Sequence, residues 1–263
     1  MKLQDLAGFD LGHQTVDYSD RDVILYALAV GARHDQLDLV YERDLRVLPT
    51  YACALGLWAV EKAGDSGAYD RTYSLHAGQK LDVHKPLPKA ARLDMHGTVA
   101  AVWDKGKASM VEIVVECEEF TATYGIFLPG LGGWGGERGP SSPSGSIDKP
   151  DWQACFQTGP DLAALYRLTG DRHPIHIDPA VARANGFDRP ILHGLCTLGI
   201  AAREIAGAAG AHPCDLKYLE ARLAAPVMPG AAIDLEVQTT ESDMNFECRV
   251  NETAVLKSGR ARF

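Results

Sequence analysis

Cysteine is sparse in this chain and never clustered: Cys53, Cys117, Cys155, Cys196, Cys214 and Cys248 are scattered over 263 residues with no C-x-x-C pair. Such spacing argues against a zinc cage or a disulfide framework and for reduced packing thiols in a cytoplasmic protein. Positive charge is also short. The 26 Lys and Arg face 35 Asp and Glu, a formal net charge of -9, so nucleic acid is not the expected main partner. A local basic pocket for a small phosphorylated ligand is still compatible with that balance. No run approaches the roughly 18 apolar residues of a membrane span, and the opening MKLQDLAGFDLGHQTVDYSD has no apolar signal core, so no membrane partner is expected. The terminal Ala-Arg-Phe resembles a peroxisomal tripeptide only faintly, because Phe is a poor last residue.

What the chain has in quantity is core material, 46% hydrophobic residues against 23% charged, and it is arranged twice. YALAVGARH (26–34) matches YRLTGDRH (166–173), VLPTYACALG (47–56) matches PILHGLCTLG (190–199), and PLPKAARLDM (86–95) matches PVMPGAAIDL (226–235). Three short matches in one order at nearly constant separation indicate two homologous halves, 1–127 and 151–263. The Gly, Pro and Ser tract 128–150 between them has too little apolar surface to pack as a helix or strand. It reads as a connection rather than a phosphate-binding loop.

Each half runs from helices to strands. Val23, Tyr26, Ala27 and Val30 recur at helical spacing over 19–31, a second helix is expected at about 50–62, and ILHGLCTLGIAAREIAGAAG is apolar on nearly every side. The segments RLDMHGTVAAVW, MVEIVVECEEF, AIDLEVQTTES, NFECRVN and AVLKSGRARF carry strand composition, with turns at DKGK and NET. Helices followed by an antiparallel sheet make an α+β layer fold.

The segment LTGDRHPIHIDP (168–179) concentrates reactive side chains. Pro174 removes a backbone donor and pushes His173 to extended geometry, so the segment presents side chains from a fixed loop. Asp178-Pro179 reads as an N-cap and first residue of a short helix ending at Gly186. Asp171 and His176, held together, are able to contact one water, remove its proton and return one. His193-Gly194-Leu195 opens the apolar helix, where free N–H groups stabilise charge developing on an oxygen. His173, His176 and His193 are the alternative as a metal site, but H-P-I-H lacks a fourth ligand and a zinc-site context, so no metal is expected. Cys196 is read as core.

GDRHPIHIDP followed by FDRPILHGLCTLG closely resembles the signature of MaoC-like type-2 (R-specific) enoyl-CoA hydratases. LHAGQKLDVHKPLP (75–88) and GGWGGERG (132–139) resemble their two-repeat form, similar to the hydratase unit of peroxisomal multifunctional enzyme type 2. The resemblance covers nearly the whole chain. It implies a double hotdog, in which each repeat is a buried helix wrapped by an antiparallel sheet, with the catalytic loop kept only in the second repeat. It implies Asp171 and His176 as the residues that activate water and protonate C2, Gly194 as the oxyanion donor, and an acyl-CoA substrate with no cofactor. Tyr166, His193 and Leu195 are then expected at the substrate, with Lys85 and Arg92 as candidates for its phosphates beside Lys89 and Arg222. Laid on the second half, Ala32 and Leu37 of the first occupy the places of Asp171 and His176, so the first half is free to serve as an acyl-binding tunnel. His173 stands where the family has Asn. A hotdog thioesterase and a non-catalytic acyl-CoA-binding subunit are the alternative functions, and pairing of two chains into a homodimer is left open.

Overall fold

Alternation of apolar and polar residues turns two long tracts of this chain into sheet; Phe120–Pro129, for example, buries every second side chain. The computed structural model describes residues 1–141, 147 and 149–263. Among the described residues ten strands form one antiparallel sheet. They are β1 (Asp10–Tyr18), β2 (Leu75–Val83), β3 (Ala91–Asp104), β4 (Ala108–Glu116), β5 (Phe120–Pro129), β6 (Trp152–Gln157), β7 (Tyr218–Leu223), β8 (Ala232–Thr239), β9 (Met244–Val250) and β10 (Thr253–Arg262). The spatial order β1-β3-β4-β5-β2-β7-β10-β9-β8-β6 has the same pattern from either end. Two five-stranded arrays of identical connectivity meet at the β2–β7 pair.

The helices are α1 (Asp20–Ala29), α2 (Leu37–Val40), α3 (Tyr51–Leu55), α4 (Trp58–Gly64), α5 (Leu162–Tyr166), α6 (Pro179–Ala184) and α7 (Gly194–Ala209). The single helix expected over 50–62 is two short ones. The Tyr124 hydroxyl donates to the Cys53 carbonyl at 2.8 Å, and the Leu57 N–H turns to Ala54 instead. A Cβ on Gly56 would lie 2.5 Å from that hydroxyl, so the break needs glycine.

Helix α7 is buried without interruption from Leu195 to Arg203, as its apolar circumference requires. Gly199 lets α1 approach it: a Cβ there would sit 2.6 Å from Val30 Cγ1. The buried Arg203 donates from Nε to the Val30 carbonyl at the end of α1 (3.1 Å) and pairs with Glu204 (2.6 Å). A cation at a helix C-terminus meets carbonyls that lack helical partners. Cys196 donates to the Ala29 carbonyl at 3.3 Å and is core, as expected.

The glycine-rich tract opens on an anchored loop. Asp104 accepts from the N–H groups of Gly106, Gly133 and Gly135, each at 2.8 Å. These bonds hold its carboxyl down to about 2, with the Gly133 contact the largest cause. The N–H groups that a phosphate would need are therefore occupied by this chain's own carboxylate. Residues 142–146 and 148 of the expected connection lie outside the described residues. Among the described residues no helix is long and apolar enough to cross a membrane.

Candidate active site

Residues 170–178 leave regular structure because Gly170 takes φ 148° and Pro174 opens a single 3-10 turn, Pro174–His176. The loop is pinned at both ends. Thr169 Oγ1 donates to the Tyr166 carbonyl at 2.8 Å, and Asp178 accepts from Ala180 N–H at 2.7 Å as the N-cap of α6.

His176 Nδ1 lies 2.8 Å from the Ile191 carbonyl. A carbonyl only accepts, so Nδ1 carries the proton and Nε2 is left with a lone pair. That lone pair faces Asp171 Oδ2 across 3.9 Å, too far for a direct bond and suited to two acceptors sharing one water. Burial lowers the proton affinity of His176 and Asp171 partly restores it, so the ring is a neutral base at neutral pH.

His193 fixes this pair from behind. Its Nε2 donates to the Asp171 carbonyl at 3.1 Å, and its ring stacks on that of His176 at 3.6 Å and 23°. Burial, reinforced by His176, brings its pKa down to about 3. Ligand atoms of Asp171, His176 and His193 lie within 4.8 Å of one another, a trio with Asp171 in place of the His173 expected from sequence. The lone pairs of stacked rings lie in separate, nearly parallel planes, however, whereas a tetrahedral ion needs them to converge on one point. The arrangement fits a water held by two acceptors better than an ion.

The His173 side chain takes over a role open to Asn. Its Nδ1 accepts from Ile175 N–H at 3.3 Å, and the His173 backbone N–H donates to Asp171 Oδ1 at 3.1 Å. An Asn Oδ1 occupies the same place relative to the backbone as imidazole Nδ1, so the turn is capped by either residue. The ring itself is exposed and makes an edge contact 6.2 Å from His176.

Gly194 starts α7 with no side chain capping its first turn, leaving N–H groups and the positive end of a 16-residue helix free at the site. A Cβ on Gly194 would meet Leu223 Cδ1 at 2.8 Å. Leu195 is buried behind it. Tyr166 stacks obliquely on His193 at 4.8 Å, and both the Tyr166 hydroxyl and His193 Nδ1 are buried without a hydrogen-bond partner among the described residues.

The first half reaches the same place. Ala54 of α3 lies against Gly170, and a cavity of about 230 Å³ runs from Thr169 and Gly170 between Tyr51, Ala54, Leu55 and Trp58. His76 of β2 is also there, a residue the sequence reading passed over. Its Nε2 donates to the Gly78 carbonyl at 3.1 Å. Burial lowers its proton affinity and the Asp171 charge acts against that. The only signal for it was its place in the LHAGQ segment.

Lys85 and Arg92 are not brought to the loop. His76 is near the start of β2, and Lys85 lies beyond its Val83 end, paired with Glu118. At about 3.3 Å per residue that is roughly 30 Å along the strand. Arg92, opposite Asp17 of β1, lies toward the same far end.

Two family models match successive parts of the chain: "MFE-2 hydratase 2 N-terminal domain" over residues 16–127 and "MaoC like domain" over 143–260. The chain is 36% identical over 244 residues to 3-hydroxyacyl-thioester dehydratase Y of Mycobacterium tuberculosis, covering 86% of this chain and 83% of that protein. It is 34% identical to the peroxisomal enoyl-CoA hydratase 2 of Arabidopsis thaliana, covering 89% and 86%. Among solved structures, a MaoC-like dehydratase of Phytophthora capsici superposes with a TM-score of 0.88 at 26% identity, covering 99% of this chain and 96% of that one. A double-hotdog protein of Mycobacterium tuberculosis, at TM-score 0.61 and 14% identity over 100% and 97% of the two chains, bears on the fold alone.

Proposed function

This chain belongs to the MaoC-like hydratase 2 family, a double-hotdog α+β fold, and from that membership we propose that it is an (R)-specific 2-enoyl-CoA hydratase. The observation that carries the proposal is the 3.9 Å gap between Asp171 Oδ2 and the unprotonated Nε2 of His176, beside the free N-terminus of α7.

A water between these acceptors gives one proton to His176 Nε2 while its oxygen bonds to C3 of a trans-2-enoyl thioester. Asp171 holds the second hydrogen and aims the oxygen. The electron pair of the C2–C3 double bond moves toward the thioester carbonyl, where the Gly194 N–H receives the developing charge. The imidazolium then returns its proton to C2 from the same face. Water has added syn, the product is a 3-hydroxyacyl-CoA, and the enzyme regains its starting state. Every step runs backward, so the same residues dehydrate the product.

His173 positions the loop, and His193 and Tyr166 form the wall behind it. The first half, 1–127, acts as the acyl-binding unit; its cavity against Gly170, lined by Tyr51, Leu55, Leu57 and Trp58, supports this reading. Medium or long, branched or polycyclic acyl groups are the proposed substrates, and the cytoplasm the proposed compartment, although the Arabidopsis relative is named as peroxisomal. The test incubates the protein with crotonyl-CoA and a longer trans-2-enoyl-CoA while following enone absorbance and free thiol. Absorbance loss without thiol is expected. Thiol release would make the protein a thioesterase, and binding without either change would make it a non-catalytic subunit.

A further inference from the structure

Two cations near the site stand without counter-charges. Arg222 of β7 and Lys257 of β10 are directly opposite one another in the sheet, both exposed, and like charges so placed destabilise a strand pair. On β2, β7, β9 and β10 the other cations are neutralised: Lys80 by Asp82 at 2.9 Å, Arg260 by Glu220 at 3.2 Å, Arg262 by Asp243 at 2.9 Å, and Arg249 by Glu247 at 2.6 Å. Among the described residues Arg222 and Lys257 have no side-chain hydrogen bond or ion pair, in a chain with nine more acidic than basic groups.

The backbone supports the pair at a cost. β10 bulges between Lys257 and Arg260, with Ser258 at φ 50°, a conformation that non-glycine residues adopt only when their surroundings impose it. On the other side of Arg222 lie Gly78 of β2 and then Gly125 of β5, so the strip of sheet beside the cations has no side chains. The location is also specific. The next residue, Leu223, points to the opposite face and meets Gly194, the oxyanion donor. The cation pair is therefore one residue along β7 from the thioester position, where the strand ends.

We propose that Arg222 and Lys257 bind the phosphates of the coenzyme A nucleotide as the pantetheine arm leaves the site around this end of the sheet. The proposal rests on the enoyl-CoA hydratase reading. Coenzyme A supplies a pyrophosphate and a 3′-phosphate, anions of the kind an unpaired Arg and Lys lack. The guanidinium fork engages phosphate oxygens in pairs and the ammonium adds a point charge. Of the four cations considered from sequence, Arg222 is retained; Lys257 joins it.

The test compares a trans-2-enoyl-CoA with the same acyl group on pantetheine, which lacks the nucleotide, in wild type and in Arg222→Gln/Lys257→Gln. Wild type is expected to prefer the CoA ester through KM. The double variant raises KM for the CoA ester roughly 10- to 100-fold, the scale of one or two charge-assisted contacts, and the preference over the pantetheine ester collapses toward unity. An undiminished preference overturns the proposal, as does an equal loss on both esters. If wild type hydrates neither ester, the hydratase reading is what fails, and calorimetric titration with coenzyme A then decides the proposal. Weakening of tenfold or more in the double variant supports it; equal affinity overturns it.

Discussion

Replacing Asp171 with Asn changes charge while leaving shape almost untouched, and the structure allows its effects to be worked out. The amide oxygen still accepts the His173 N–H that Oδ1 accepts at 3.1 Å, so the loop keeps its turn. The charge 3.9 Å from His176 Nε2 is lost. At an effective dielectric constant of about 20 that interaction is about 4 kcal/mol, an upper value because the carboxylate is 21% exposed. Halving it for solvent screening leaves about 2 kcal/mol. Asp171 raises the proton affinity of His176, so the substitution moves the His176 midpoint further below 6.5. The base stays neutral at pH 7, and loss of activity then reports the lost water contact rather than a protonated base. Hydration is expected to fall by about 10²- to 10⁴-fold with an unchanged circular dichroism spectrum. An NMR titration of the histidine Cε1 protons measures the shift. An unmoved or raised His176 midpoint, or retained hydration, would refute the reasoning.

His173→Asn keeps the acceptor for Ile175 N–H and is expected to give equal or higher kcat; a collapse would give the imidazole a task of its own. Gly199→Ala drives a methyl to 2.6 Å from Val30 and should cost about 1–3 kcal/mol by chemical denaturation, with no loss expected if α1 can move away freely. Two groups with large shifts contribute to the pH dependence of stability. His193 is lowered in the folded state to about 3, so its contribution is full above about 6.5 and is lost as pH falls toward 3. Asp104 is lowered to about 2, so its contribution is full above 3.8 and is lost as pH falls through 2. Asp104→Asn should reduce the stability lost through that lower range and decrease Tm, which melting curves across pH will show.

The loop, the buried helix and the strands were legible in sequence because each depends on local chemistry: Pro174 against helix, Asp178-Pro179 as a cap, an apolar circumference on α7. The repeat was legible from three matched segments, and the mirrored strand order gives those matches a physical form. What could not be read depends on contacts between distant residues. The break at Gly56 needs a tyrosine 68 positions away, and the anchoring of the glycine-rich loop needs Asp104. His76 reaches Asp171 from another repeat. Lys85 and Arg92 illustrate the opposite case: charge alone does not say at which end of a strand a residue lies. The question at His173 was answered by an atom, since Nδ1 caps the turn as an amide oxygen would.

The most direct test of the catalytic assignment is the product formed from a trans-2-enoyl-CoA in D2O. Family membership predicts (R)-3-hydroxyacyl-CoA, and water held between Asp171 and His176 with protonation by the same imidazole predicts one deuterium at C2, added to the same face as the hydroxyl, and no free coenzyme A. An (S) product, anti placement of the label, or free thiol would contradict it.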